Sequence, residues 1–565
     1  MTPTSLAGAL AETLPRLCAP ADPSSREPLV HDLIRSLAAG LERGVLELDF
    51  GSSTPEGLKP ELWPEAYRRA LDRSALVVRA EALQESPQAP LVLVGDLLRW
   101  RRWHQQLEET LAELLERAQA PLADPATPLE RETARRQAAA AGLDPTQQRA
   151  VVAALSQRLL LLSGGPGTGK TSTVVELLAA LLRRNPLLRF QLAAPTGKAA
   201  ARLREAIERG CMSLPRELSE VLLAAPCSTL HRLLESSGER FGRNAARPLP
   251  LELLVVDEVS MVDLPLMSAL LEALPPSSRL VLVGDPGQLA PVGPGPVLLE
   301  LMQPARLRQL GAAAVELRSP YRNTGAIAAV AASLRSGGTS PLQTLRKRLE
   351  TLTASDNLHW RQVSAQQAPE EAIEVLRQHQ QQLAHRAATL PPLSSGEELQ
   401  AAAAPLLAEL ERCVLLTPTL QGRWGVAGIH RQLLGTAAGQ APAFWPAGTP
   451  VLNRRNLPEQ GLANGDVGIL LRGGEQPRVL FAGGLLLHPA RLGRLEPALA
   501  LTVHKAQGSQ YGTVLLLLPP GRDWEPRLIY TGLTRARDEA WLFTPSDSPS
   551  LADTHHSGAE ALGLV

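Results

Sequence analysis

From residue 143 onward, short apolar runs alternate with longer stretches whose apolar positions recur at helical spacing. Leu159–Ser163, Phe190–Ala194, Leu251–Val256 and Leu280–Gly284 are such runs. They are too short for buried helices and predict strands covered on both faces, hence a parallel sheet between layers of helix. A second set begins at Val414–Thr417 and continues with Leu499–Val503, Val514–Leu518 and Ala540–Phe543. Between the sets, Pro341–Ala408 is rich in Gln, Ala and Leu and predicts helix. Thr449–Leu492 carries Asn464-Gly465 between apolar flanks, a hairpin signal, and predicts a small inserted β-barrel. Before residue 142 the amphipathic stretches Pro28–Arg43 and Leu97–Arg117 predict a helical module, and the proline-punctuated Ala118–Pro128 predicts a linker.

Composition narrows the picture by exclusion. The chain has 565 residues, 44% of them hydrophobic, which is ample for several packed cores. No apolar run approaches the roughly 18 residues that span a bilayer. The start of the chain lacks a basic segment followed by an apolar one, so no secretion signal is expected. Cys18, Cys211, Cys227 and Cys413 lie far apart, which fits a reducing cytoplasm and suggests neither a disulfide framework nor a metal cluster. The net charge of zero conceals an asymmetry. Residues 1–142 hold 16 Lys/Arg against 21 Asp/Glu, and residues 143–565 hold 41 against 36. A phosphate-binding unit joined to a mildly acidic module fits this balance, as does ordinary variation of surface charge.

The chemistry is concentrated behind the first strand. Gly164-Gly-Pro-Gly-Thr-Gly-Lys-Thr171 separates that strand from the helix-forming Ser172–Leu182. Gly164, Gly165, Pro166, Gly167, Thr168 and Gly169 let the backbone wrap a polyphosphate with its N–H groups inward. Lys170 reaches the β- and γ-phosphates, and the Thr171 hydroxyl binds Mg²⁺. Leu253-Leu-Val-Val-Asp-Glu-Val-Ser260 sets Asp257 and Glu258 at a strand's carboxyl end. Asp257 is suited to hold Mg²⁺, directly or through water, and Glu258 to polarise the attacking water. Val283-Gly-Asp-Pro-Gly-Gln-Leu289 ends another strand, with Gln288 suited to sense the γ-phosphate. Gln147 offers an amide that pairs with both edges of adenine, or begins a solvated helix. Arg322, in Ser319-Pro-Tyr-Arg, and Arg535, in Tyr530-Thr-Gly-Leu-Thr-Arg, fit arginines that reach the γ-phosphate from an opposite lobe. Out of context, a surface or ion-pair arginine is the alternative for each. Two sheet units with one phosphate loop predict an ATPase of two stacked lobes.

Taken in order, Gln147, the glycine-rich loop, Ala194-Pro-Thr-Gly-Lys198, Asp-Glu-Val-Ser, Gly-Asp-Pro-Gly-Gln, Tyr-Arg, Thr502-Val-His-Lys-Ala-Gln-Gly508 and Thr534-Arg-Ala-Arg537 resemble the motifs of superfamily 1 DNA helicases. Ser228-Thr-Leu-His-Arg-Leu-Leu234, Asn464-Gly-Asp-Val-Gly-Ile469 and Thr502–Ser509 resemble the RecD family, the alpha subunits of RecBCD-type exodeoxyribonuclease V, within superfamily 1B. The resemblance is strong over about 143–545 and weaker over Leu29–Asp49 and Pro90–Arg102. It implies an α/β fold of two RecA-like P-loop NTPase lobes, an SH3-like β-barrel insertion in the second, and a helical N-terminal domain. The divisions expected are 1–120 for the partner-docking domain, 121–142 for a linker, 143–325 for the first lobe, and 326–410 for a mainly helical connection. The second lobe takes 411–448 and 493–550, the barrel 449–492, and a tail 551–565.

The function implied is ATP-driven 5′–3′ translocation on DNA, with ATP and Mg²⁺, in a heterotrimer with RecB-like and RecC-like subunits that repairs double-strand breaks by recombination. Thr196, Lys198, Thr229, His231, Thr502, His504 and Lys505 would contact single-stranded DNA through its phosphates, without a sequence code. His231 and His504 also fit buried, hydrogen-bonded histidines. Gln510 stands where the family commonly has Glu, which removes a charge beside these contacts. Aromatic residues number 18 in 565, so base stacking rests on few rings. A stand-alone helicase of the same superfamily is the alternative. Such relatives often carry a long N-terminal extension with helix-hairpin-helix signals, a pattern not seen in residues 1–142. A scaffold with a decayed motor is disfavoured by the intact Lys170, Thr171, Asp257, Glu258, Gln288, Arg322 and Arg535. Trp100 and Trp103 in Arg99-Trp-Arg-Arg-Trp103 fit an interface, or the module's own core.

Overall fold

The computed structural model describes residues 6–19, 22–41, 45–238, 240–318, 325–335, 341–390, 396–472, 476–521 and 524–546. Six parallel strands form one sheet, in the order Ala314–Leu317, Leu159–Gly164, Arg279–Gly284, Leu253–Val256, Phe190–Ala194 and Cys227–Thr229. Alternate residues of the apolar runs face opposite layers. Leu160 and Leu162 pack with the helices Pro145–Ser156 and Lys170–Arg184, and Leu159 and Leu161 with Leu264–Ala273. Burial on both faces explains why these strands read as unbroken apolar runs.

A second parallel sheet has the order Leu358–Val363, Ala536–Pro545, Tyr511–Leu517, Cys413–Thr417 and Ala500–Thr502. Its first strand lies within the stretch 326–410, beside the helices Ala326–Arg335, Pro341–Glu350, Glu370–Ala388 and Gly396–Leu410. Leu358–Val363 lies at the sheet edge with His359, Arg361 and Gln362 not buried, so it lacks the continuous apolar run of a central strand. The helix Ala326–Arg335 also belongs to this lobe, packing Ile327, Val330 and Leu334 into its core.

Residues of the predicted insertion, joined by Leu495–Pro497 from beyond its expected end at 492, form an antiparallel five-stranded sheet, in the order Leu485–Leu487, Arg478–Phe481, Val467–Leu471, Pro450–Asn453 and Leu495–Pro497. Asn464-Gly465 turns the chain into Val467–Leu471, with Gly465 at φ 99°. The insertion touches the first lobe: a Cβ on Gly197 would lie 2.5 Å from the Ala463 Cβ.

The N-terminal module is not purely helical. Beside the helices Leu6–Cys18, Pro28–Leu41 and Glu65–Asp72 it holds a four-stranded sheet, in the order Glu47–Asp49, Leu97–Trp100, Leu91–Val94 and Val77–Arg79. Gly95, at φ 57°, turns Leu91–Val94 back onto Leu97–Trp100, so the expected helix begins only at Arg101. That helix, Arg101–Gln119, buries Leu107, Leu111 and Leu114 in the first lobe. Its Arg117 guanidinium donates to the carbonyls of Ser278 (3.0 Å) and Pro275 (3.3 Å). Trp100 is buried in the module's own core, and Trp103 packs between that core and the lobe. The expected linker contains a capped helix, Pro128–Ala140, in which Thr127 and Glu130 form a reciprocal capping box.

Candidate nucleotide site

The carboxyl ends of parallel strands gather the site, as the geometry of open α/β sheets requires. Leu159–Gly164 delivers the phosphate loop, Leu253–Val256 delivers Asp257 and Glu258, and Arg279–Gly284 delivers Asp285 and Gln288. Pro166, Gly167, Thr168, Gly169, Lys170, Thr171, Gln147, Asp257, Glu258, Gln288 and Arg535 line one cavity of about 780 Å³.

Within the loop, Lys170 Nζ donates to the carbonyls of Gly164 (2.7 Å) and Gly165 (2.9 Å), and Thr168 Oγ1 donates to Gly165 O (2.8 Å). A Cβ on Gly164 would stand 2.6 Å from Thr168 Oγ1 and 2.9 Å from the Leu317 carbonyl, so glycine is required there by space. Gln147 is buried, with its Nε2 donating to Thr168 O (3.2 Å) and its Oε1 accepting from Asp144 N (2.9 Å). It therefore clamps the Pro145–Ser156 helix to the loop. Sequence reasoning assigned it an adenine edge; the amide has one donor and one lone pair left for that use.

Asp257 Oδ1 accepts from Glu258 N (2.9 Å). Burial, reinforced by the Glu258 charge, pushes the Asp257 carboxyl up to about 7, against the opposing effects of that N–H and of Lys170. Glu258 itself adopts φ 54°, ψ 43°, left-handed backbone that costs a non-glycine residue energy. Strain of this kind in a charged residue at the mouth of the cavity points to a functional constraint. Thr171 and Asp257 supply a hydroxyl and a carboxylate, a hard oxygen set that fits Mg²⁺ sharing its shell with water and phosphate oxygens.

Gln288 Nε2 donates to Asp285 Oδ2 (3.3 Å), while its buried Oε1 has no partner among the described residues. That acceptor fits a water beside the γ-phosphate. Asp285 also accepts from the Tyr530 hydroxyl of the second lobe (2.8 Å). Next in the chain, Leu289 N donates to Thr531 Oγ1 (2.8 Å), and Leu289 O accepts from Gln507 Nε2 (3.1 Å). Gln507 and Tyr530 stand inside motifs legible in the sequence, but nothing local gave either of them a partner across the lobes.

Arg535 is buried, and its guanidinium bonds within its own lobe, to the carbonyls of Thr531 (3.1 Å) and Ser509 (3.3 Å) and to Thr534 Oγ1. Arg322 lies outside the described residues.

The expected DNA contacts divide by lobe. Thr196 follows the strand Phe190–Ala194 and Thr229 ends the adjacent strand, and each caps the helix that follows, accepting from Ala199 N and Arg232 N. Lys198 Nζ lies 5.3 Å from the Tyr511 ring centroid, a cation–π contact across the lobes. His231 is exposed beside Phe241. In the second lobe Thr502 Oγ1 accepts from Lys505 N, and Lys505 Nζ is paired with Glu496 (2.8 Å), which also holds Arg454. Half-burial lowers the His504 pKa, favouring the neutral ring. The Gln510 carbonyl accepts from Arg202 of the first lobe (3.2 Å).

Residues 147–294 match the family model of an AAA domain, and residues 497–543 that of a UvrD-like helicase C-terminal domain. The chain is 37% identical over 411 residues to the RecBCD enzyme subunit RecD of Mycolicibacterium smegmatis, covering 69% of each. It is 38% identical over 409 residues to the RecBCD enzyme subunit RecD of Mycobacterium tuberculosis, covering 69% of this chain and 67% of that one. To the ATP-dependent RecD2 DNA helicase of Deinococcus radiodurans it is 32% identical over 413 residues, covering 70% of this chain and 48% of that one.

Proposed function

The chain belongs to the RecD family, and from that premise we propose that it is the 5′–3′ motor of a three-subunit exodeoxyribonuclease V, bound to RecB-like and RecC-like subunits and to single-stranded DNA at duplex ends. It is an ATP-hydrolysing DNA helicase subunit. One observation carries the motor reading. The loop bearing Gln288 is hydrogen-bonded to the second lobe through Asp285–Tyr530, Leu289–Thr531 and Leu289–Gln507. A change at the γ-phosphate end of the cavity is thereby felt by the lobe that carries Thr502, His504 and Lys505.

The chain's own groups divide the chemistry. The loop N–H groups and Lys170 hold the phosphates, and Gln147 steadies the loop toward the base. Glu258 polarises the attacking water, and Gln288 Oε1 accepts from it. Thr171 and Asp257 would hold Mg²⁺, which would supply charge neutralisation at the phosphate oxygens. Arg535 adds charge from the second lobe on leaving its carbonyl partners, and Arg322 is assigned the same work. Thr196, Lys198, Thr229 and His231 grip the strand's phosphates from one lobe, and Thr502, His504 and Lys505 from the other.

The N-terminal module docks the motor on a RecC-like subunit, and the 450–497 sheet is an SH3-like barrel. No helix among the described residues is long and apolar enough to cross a membrane. The cytoplasmic location is the one that the RecD-family reading implies. The stand-alone reading is weaker, since the RecD2 relative is less identical and this chain covers less of it.

The test is unwinding of tailed duplexes by the purified complex. A duplex with a 5′ tail should be opened by this subunit and one with a 3′ tail should not, and Lys170→Gln should abolish the difference. A 3′ preference overturns the polarity. Glu258→Gln should retain nucleotide binding while slowing hydrolysis by about 10²-fold or more. Near-parental turnover would remove Glu258 from its role.

A further inference from the structure

A guanidinium of the second lobe already stands at the phosphate loop, and it is not one of the two that the sequence singled out. The helix Ala326–Arg335 turns Ile327, Val330, Ala331 and Leu334 into the second lobe's core. Arg335 closes its last turn, where the carbonyl end of a helix favours a cation. Arg335 Nη1 lies 2.7 Å, and its Cζ 3.7 Å, from the point that a Cβ on Gly165 would occupy. The Tyr530 hydroxyl is 3.3 Å from the same point. Gly165 does not have left-handed backbone, so a side chain there would first meet these two groups, the nearer being the movable tip of Arg335.

The charges make the arrangement informative. Lys170 Nζ is 2.9 Å from the Gly165 carbonyl, so two cations converge on one residue of the loop. Arg335 is half-buried, with no hydrogen bond or ion pair among the described residues. The Asp285 carboxylate, which holds the neighbouring Tyr530 hydroxyl, is occupied further by Gly287 N and Gln288. Converging like charges are unfavourable unless an anion joins them. A polyphosphate chain is such an anion, and the loop is built for one.

Resting on the reading that Gly164–Thr171 holds ATP, we propose that Arg335 contacts the terminal phosphate from the second lobe, so that ATP, and not ADP, draws the lobes together. Arg535 must first leave three partners inside its own lobe to reach a phosphate. Arg335 has none to leave among the described residues and is already in contact with the loop. It is thus placed to register the γ-phosphate early, before Arg535 is released to stabilise the transition state.

The experiment compares nucleotides on the full chain in its complex. Arg335→Gln should weaken a non-hydrolysable ATP analogue by about 10-fold or more and ADP by less than about 3-fold. It should lower the kcat of DNA-stimulated hydrolysis more than it raises KM. Arg335→Lys keeps the charge and should recover part of the preference for the ATP analogue; it also serves if the Gln variant does not fold. An unchanged ratio of ATP-analogue to ADP affinity in a folded variant overturns the proposal and leaves Arg335 a packing residue. Lys170→Gln, assayed alongside, separates the two claims. If it still hydrolyses ATP, the assignment of the loop fails. If it is inactive while Arg335→Gln discriminates like the parent, only the role of Arg335 fails.

Discussion

Asp257 and Glu258 show how neighbouring carboxylates are given different work by their surroundings. Burial and the adjacent charge hold Asp257 up at about 7, from an ordinary value of 3.8. In the nucleotide-free protein it therefore binds more proton when folded than when unfolded across that window. Stability contributed by the neutral carboxyl is present below the window and is lost as pH rises through it. Asp257→Asn should accordingly unfold at a higher temperature than the parent at pH about 8, with little difference at pH about 4, while losing Mg²⁺-dependent hydrolysis. A variant that unfolds with the parent at both pH values would mean that the carboxyl is not strained by its site. Glu258 carries its cost in the backbone instead. Glu258→Gly, which relieves the left-handed φ, should leave the fold as stable or stabilise it by about 1 kcal/mol, and should stop turnover. Thermal unfolding beside an ATPase assay measures both.

Among the elements, the helix Arg101–Gln119 decides where the N-terminal module ends. Its Leu107, Leu111 and Leu114 are buried on the first lobe, so a chain beginning near residue 97 should keep a soluble, ATP-hydrolysing motor, while one beginning at 121 should aggregate. If the two truncations express and hydrolyse ATP equally, the helix belongs to the module and not the motor. The second lobe has a different dependence. His430 Nε2 accepts from Ala500 N (3.1 Å), pinning the helix Val426–Leu434 to the sheet, and burial lowers its pKa to about 4. The neutral ring is favoured in the fold, so stability is lost as pH falls from 6.5 toward about 4. His430→Gln should flatten that loss in urea unfolding, and an unchanged acid sensitivity would assign it elsewhere, for instance to the similarly buried His379. The elements also show what the sequence could carry. Strands buried on both faces, such as Leu253–Val256, are legible because burial forces an apolar run, and the phosphate loop because its chemistry tolerates few alternatives. Leu358–Val363 was not legible, since an edge strand with an open face needs no such run. Nor was the Gly95-Asp96 turn read, which converts the first residues of an apparent amphipathic helix into a strand. Arg335 and Tyr530 acquire their place only through packing between lobes, which no local pattern records.

For the molecule as a whole, the lobes meet at several points, among them Arg202–Gln510 and Lys198–Tyr511, and the joint at Leu289 is specific. Leu289 follows a strand of the first lobe, yet its side chain is buried in the second lobe's core, and both its N–H and its C=O are bonded to second-lobe side chains. Leu289→Ala should cost about 2–5 kcal/mol, as other buried leucines do. It should also uncouple hydrolysis from DNA, which would appear as ATPase activity that single strands no longer stimulate. Retained stimulation would mean that the lobes communicate elsewhere. A residue held so completely by the body opposite behaves as a pivot, about which the lobes rotate more readily than they slide. Rotation makes displacement grow with distance from the axis. A fraction of an ångström at Gln288, immediately beside the pivot, then becomes a larger travel at loops remote from it. Such a machine is geared by its own dimensions: the length of the lever, and not the size of the chemical event, sets how far the strand moves.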